Sequence, residues 1–346
     1  MKRGNDRAGM AQWTRRRALR GLATGAAVCT GGLAGMAAFR PATAAEVAWP
    51  ERPIRMIVPF APGGVTDSIG RLSAEWLSKR LGQSVVVENR SGANGAIAAD
   101  LVARSDPDGY TLFTASASQM VMLPALTTRL TFDTQKDFTP VSIIGSNPMV
   151  LGVSAKLGAG SLAEFVALAK RQPGRLDYSS AGSGSSTHLA MALLLERAGI
   201  ELQHIPYRGG APAMQALVAG EVAAYFGNPS DMIPHAGGDK VRVLAVAGPE
   251  RLPSLPGVPT VAEQGYPGFR AETWNGIAAP AGTPTEVVAL LARELQAACG
   301  DAGFRSNLER LGTTPVCSTP AAFREAMQAD APLWREAVRI SGATLD

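Results

Sequence analysis

Cysteine, histidine and aromatic residues are scarce in this 346-residue chain, with three Cys, three His and 6% Phe, Trp and Tyr. Three cysteines cannot build a disulfide framework that replaces a hydrophobic core. His188, His204 and His235 are the histidines, and none is spaced with a second His or a Cys as a metal pair, so neither a metal nor another cofactor is expected. Charged residues make up only 18%, with a formal net charge of +4, and that excess sits at one end. Residues 1–44 hold eight of the 33 Lys and Arg and one of the 29 acids, so the rest carries three more acids than bases. A polyanion-binding face loses its support, and no nucleic-acid partner is expected. What is abundant is apolar: 46% of the residues are hydrophobic, enough for one large or two ordinary domains with sizeable cores.

Residues 1–44 read as an export signal. Thr14-Arg15-Arg16-Arg17-Ala18-Leu19-Arg20 lies close to the twin-arginine pattern, with Ala18 where Phe is usual, and a weakly apolar stretch, Gly21 to Phe39, follows. Ala42-Thr43-Ala44 is a small-x-small cleavage box, which predicts a mature start at Ala45 and a periplasmic protein. The apolar stretch is short for a membrane span, heavy in Gly and Ala, and ends at that box, so an anchor is rejected. Lipidation at Cys29 is rejected too, because Val28 stands where a small residue is required. Cys299 and Cys317 remain in the mature chain. They form either one disulfide or two separate buried thiols, and spacing alone does not choose.

The mature region alternates β-branched runs with helical patterns. Strands are expected over 54–58, 85–87, 110–113, 176–180, 202–205, 222–226 and 241–247. Helices are expected over 66–81, with Ile69, Leu72, Trp76 and Leu77 on one face, near 96–103, and over 187–198 and 211–219. Ser161-Leu162-Ala163-Glu164 and Thr283-Pro284-Thr285-Glu286 read as capping boxes that open two more helices. This βαβ rhythm implies parallel sheet covered by helices, and ligands of such sheets bind beyond the carboxyl ends of the strands.

Four loops at those ends are rich in Gly, Ser, Thr and Asn: Pro62-Gly63-Gly64-Val65-Thr66-Asp67, Ala115-Ser116-Ala117-Ser118, Ser179 to His188, and Gly227-Asn228-Pro229-Ser230. Glycine lets a backbone approach a ligand closely, and a helix start offers free N–H groups to an anion. Together the loops supply neutral donors and almost no fixed cation, which suits a carboxylate or a polar neutral molecule. Catalytic signatures are missing. No Gly-x-Ser-x-Gly surrounds Ser183 or Ser185, Gly182-x-Gly184-x-x-Thr187 lacks the third glycine of a dinucleotide fingerprint, and no P-loop occurs. His188, just inside a helix start, reads as a packing or loop-bracing residue rather than a base. No enzyme is expected; the enzymatic alternative is a secreted serine hydrolase using Ser183 or Ser185.

Seven ordered blocks over Trp49–Ala343 make the chain resemble the Bug family, the periplasmic substrate-binding proteins of tripartite tricarboxylate transporters. They are Ile57 to Asp67, Val86 to Gly95, Pro107 to Leu112, Tyr178 to Leu189, Pro206-Tyr207-Arg208-Gly209, Pro259 to Glu263, and Ala279 to Pro284. The resemblance implies a type II periplasmic-binding-protein fold, two α/β lobes with a ligand cleft between them. Lobe 1 would comprise residues 45–148 plus 271–346 and lobe 2 residues 149–270. It implies ligand contacts from Gly63, Gly64, Val65, Asp67, Ser180, Ser185, Ser186 and Thr187, with Ser116, Ser118 and Asn228 lining the rest. A monomer is expected that delivers a small carboxylate to membrane permease subunits; docking on a sensor kinase is the alternative. Three departures fall near the cleft: Gly227 where the family often has an acid, Val65 where a third glycine is common, and Asn275 where an aromatic is common. Gly227 removes a partner for an ammonium group, which favours plain carboxylates over amino acids.

Overall fold

The β-branched run at 54–58 forms the first strand of a six-stranded sheet in the computed structural model of the protein, which describes residues 49–345. The export signal expected over 1–44, with its twin-arginine motif and cleavage box, lies outside the described residues. The chain proceeds through β1 (Ile54–Val58), α1 (Val65–Leu81), β2 (Val85–Asn89), α2 (Ala96–Ala103) and β3 (Thr111–Ser116). A π-helical turn (Ser118–Met122) and the short α3 (Leu123–Leu126) lead to the long β4 (Phe138–Pro148). Across Met149 the chain enters β5 (Val150–Ser154), then α4 (Leu162–Arg171), β6 (Asp177–Ser180), α5 (Ser186–Ala198) and β7 (Gln203–Pro206). It continues with α6 (Gly210–Ala219), β8 (Ala224–Gly227), α7 (Pro229–Met232) and β9 (Val241–Val246). It returns along β10 (Glu272–Pro280) to α8 (Thr285–Ala298), α9 (Ala302–Arg310), β11 (Thr314–Pro315) and α10 (Pro320–Ser341).

The first sheet has the order β11-β4-β10-β3-β1-β2 and the second β7-β6-β8-β5-β9. Only the βαβ portions are parallel: β1 with β2 and β3, and β6 with β7 and β8. β10 runs antiparallel to β3 and β4, and β5 antiparallel to β8 and β9, so both sheets are mixed rather than parallel throughout. Among the antiparallel members are β4, β5 and β10, along which the chain passes between the sheets, and βαβ reasoning carries no information about them.

Topology then fixes where the loops meet. β1 and β3 end at Val58 and Ser116; Ser116 lies opposite Asn275 on β10, and Asn275 opposite Gly145 on β4. In the second sheet β6 and β8 end at Ser180 and Gly227, and Gly227 lies opposite Val150 at the start of β5. Because β4 passes into β5 through one residue, the carboxyl ends of strands from both sheets converge on the same seam.

Local outcomes follow the sequence closely, with instructive exceptions. Ile69 and Leu77 of α1 are fully buried and Leu72 and Trp76 pack against the same core cluster. Ser161 caps α4, its Oγ accepting from Glu164 N–H at 3.2 Å, but the Glu164 carboxylate accepts from Gly160 N–H rather than from the cap residue. The expected box at Thr283 does not form: its hydroxyl donates to the Pro280 carbonyl, and Pro284 is the cap of α8. β3 extends three residues past its predicted end because β10 pairs with it as far as Ser116. Cys299 and Cys317 are joined in a disulfide, Cα atoms 6.0 Å apart, linking the end of α8 to the segment before α10. Among the described residues no helix is long and apolar enough to cross a membrane.

Candidate functional site

The first loop is built around Asp67. Its carboxylate accepts from the Gly63 N–H (2.9 Å), Arg71 Nε (3.0 Å) and Asn89 Nδ2 (2.8 Å), and the residue is 3% exposed. Burial alone would raise its pKa; the Arg71, Asn89 and Gly63 bonds outweigh it and hold the group below the usual carboxylate range. Asn89 also donates to the Phe60 carbonyl, so the block at 86–95 braces the first loop. Gly63 and Gly64 are exposed, and Gly63 has a φ of +97°, a conformation that favours glycine. Among the described residues the N–H groups of Gly64, Val65 and Thr66 at the start of α1 have no partner in the chain.

The loop opening α5 repeats the design in the other sheet. Thr187 Oγ1 accepts from Ala181 N–H at 2.8 Å, and Ser185 Oγ donates to the Gly182 carbonyl at 2.6 Å while accepting from His188 N–H. Ser180 is fully buried, its Oγ bonded to Gly182 and lying 2.6 Å from His204 Nε2. Ser180, Ser185 and Thr187 thus use their hydroxyls to fold the loop. Ser186 is half-buried, and the N–H groups of Ser186 and Thr187 have no partner in the chain among the described residues.

From the first loop a chain of amides runs toward the fourth. Thr66 Oγ1 donates to Asn275 Oδ1 (2.7 Å), Asn275 Nδ2 lies 3.4 Å from Asn147 Oδ1, and Asn147 Nδ2 donates to Thr313 Oγ1 (2.7 Å) and the Gly312 carbonyl. A Cβ on Gly312 would stand 2.7 Å from Pro229, so the fourth loop abuts this chain. Asn228 starts α7 with its N–H donating to Asp231 Oδ2. Ser116 donates to Gln119 Oε1 at 2.6 Å, and Gln119 Nε2 in turn donates to the Asn94 carbonyl. Ser118 is half-buried at the start of the π-helical turn.

The loops are legible in the sequence, Thr66 among them, but their connectors Asn89, Gln119, Asn147 and Asn275 are not. Asn89 lies in the 86–95 block and Asn275 is a departure from the family pattern, but nothing local pairs residues 209 positions apart, as Thr66 and Asn275 are. Chemically, the arrangement offers N–H groups at two helix starts and uncharged side chains. Ser180 and His204 make a Ser–His contact, yet Ser180 is buried, and among the described residues no carboxylate is bonded to His204. No group of three His, Cys, Asp or Glu among the described residues could hold a metal ion.

Residues 69–337 match the model of the tripartite tricarboxylate transporter family receptor. The chain belongs to this family. As a family receptor, it is 38% identical over 298 residues to the protein BugT of Bordetella pertussis, 86% of this chain and 91% of that one. It is similar to the solved structure of R. palustris Rpa4515 with adipate, at 35% identity and a TM-score of 0.76, covering 86% of this chain and all of that one. It is also similar to MatC of Rhodopseudomonas palustris with bound malate, at 33% identity and a TM-score of 0.72, covering 84% of this chain and all of that one. The fold is accordingly the two-lobed one of periplasmic solute-binding proteins.

Proposed function

We propose that the protein is a periplasmic solute receptor that captures a small carboxylate between two lobes and delivers it to a tripartite tricarboxylate-type permease. One observation carries this reading: two helix starts, one from each sheet, present uncommitted N–H groups near a seam lined by neutral amides. A carboxylate there is stabilised by helix dipoles and hydrogen bonds, each helix end contributing about 0.3–1 kcal/mol and more when partly buried. The lobes are taken as residues 45–148 plus 271–346 and 149–270, following the two sheets. Ligand contacts are assigned to Gly63, Gly64, Val65, Thr66, Ser118, Ser186 and the Thr187 N–H. Asp67, Ser116, Ser180, Ser185 and Asn228 shape the loops around them. Contacts to both lobes would favour the closed arrangement, which then docks on its membrane partner.

The similar proteins crystallised with adipate and malate support a carboxylate ligand, and the leader at 1–44 supports export to the periplasm. The test is a thermal-shift screen of residues 45–346 against mono-, di- and tricarboxylates, aromatic acids, amino acids and neutral amides. A ligand at 100 times its Kd adds about 2.7 kcal/mol of stability, a visible rise in Tm. A carboxylate hit is the expected result; a flat response from folded protein would sink the receptor reading.

A further inference from the structure

Against the α5 loop the rings of His188 and His204 stack with centroids 3.8 Å apart and planes within 5°. Tyr178 stacks beside them, 5.0 Å from His204. The polar bonds of both imidazoles go to the loop. His188 Nδ1 accepts from the Gly184 N–H at 3.1 Å, and His204 Nε2 lies 2.6 Å from Ser180 Oγ. An accepting Nδ1 places the His188 proton on Nε2, and two rings at this separation cannot both carry charge. The pair is not sealed core: with Tyr178, Ser183, Glu196 and Glu201 the two rings line a cavity of about 840 Å³. Gly184, held by His188, has a φ of +74°, and a Cβ there would stand 2.9 Å from Leu126 of α3, in the part of the chain that belongs to the other sheet. Gly184 is thus set between an imidazole and α3, two and three residues before the N–H groups assigned to the ligand.

We propose that His188 and His204 are positioning residues for ligand capture: the stacked rings fix Gly184 and Ser180, and through them the direction of the Ser186 and Thr187 N–H groups. The proposal rests on the receptor reading for its consequence, but its geometry is testable without a ligand. The loop amides of the ¹⁵N-labelled protein are followed by hydrogen exchange and chemical shift, and malate and adipate are titrated calorimetrically. His188→Asn keeps an acceptor near the Nδ1 position; His188→Leu keeps volume and removes it. His204→Gln and His204→Leu form the matching pair for Ser180. The Gly184 amide should be protected in the wild type and in His188→Asn, exchange at least about tenfold faster in His188→Leu, and take the Ser186 and Thr187 shifts with it. Affinity should fall about tenfold in each Leu variant and be largely restored in its amide counterpart. Free exchange at Gly184 in the wild type, unmoved loop shifts in His188→Leu, or amide variants as weak as the Leu variants in proportion to their loss of Tm would overturn the proposal. If the wild type binds neither acid, the receptor reading is what fails for these ligands, and the Gly184 amide still decides the positioning role.

Discussion

Gly227 shows how one missing side chain is explained by a neighbour two residues away. A Cβ at 227 would lie 2.3 Å from Cε1 of Tyr225, which points to the same side of β8, is fully buried and donates from its hydroxyl to Asp231 Oδ2 at 3.0 Å. Burial, the largest influence, raises the Asp231 pKa, so a second carboxyl here would meet a site already short of solvent. Gly227→Asp should therefore cost about 1–3 kcal/mol through displacement of the Tyr225 ring. Urea unfolding measures it; a variant as stable as wild type would show that the ring yields freely. Asn275 is the second informative residue. Thr66→Val and Asn275→Ala each remove one end of the same bond, so their stability losses should fall short of adding by about 0.5–1.5 kcal/mol in a double-mutant cycle. Strict additivity would mean that the bond contributes nothing.

For the helices, the two Ser caps separate stability from binding. Ser185 caps the 13-residue α5 at the proposed site, and Ser161 caps the 10-residue α4 outside all four loops. Each Ser→Ala change should lower stability by about 1 kcal/mol. Only Ser185→Ala should also weaken carboxylate binding, read by titration of both variants against malate or adipate; equal affinities would remove the α5 loop from the site. The link between α8 and the segment before α10 has its own test. The cysteines are 18 residues apart, so opening the bridge, by Cys299→Ser with Cys317→Ser, should cost about 3 kcal/mol on loop-entropy grounds. Chemical denaturation of the double variant checks the size.

Taken whole, the molecule is held together by α10, which packs against β4 and the π-helical turn on one side and α5 on the other. One apolar cluster accordingly includes Ile57 and Phe113, Phe165 and Leu189, and Phe323 and Trp334 of α10. The pH dependence of global stability should come in two stages. Burial, with a smaller push from His204, lowers the His188 pKa from 6.5 to about 4, while Tyr178, His204, Glu196 and Glu201 are the titratable groups around the same cavity. Below pH 6.5 the unfolded chain takes up a proton at this position that the folded chain resists. Stability present above that pH is therefore lost as pH falls toward 4, by an amount on the order of 3 kcal/mol. Glu88, lowered from 4.5 to about 2 by its hydrogen bond with Arg55, protects at lower pH, and its share is lost between those values. His188→Asn should shrink the first stage, leaving the share of His204, whose pKa burial also lowers, and spare the second, as followed by urea unfolding from pH 8 to 3.

The alternation of strand and helix, the loop compositions and the cap of α4 are readable along the chain because they depend on periods of two and 3.6 residues and on turn chemistry within a few positions. Side-chain direction was not. Whether Asp67, Ser180 and Thr187 face a ligand or their own loop depends on Asn89, His204 and Ala181, whose positions only the folded backbone sets. The antiparallel β4, β5 and β10, the Thr66–Asn275–Asn147 chain, the choice between thiols and a disulfide, and the histidine stack all join residues far apart in sequence. Local sequence specifies which groups are available; strand pairing across the seam decides which of them are spent on the fold and which stay free for a ligand.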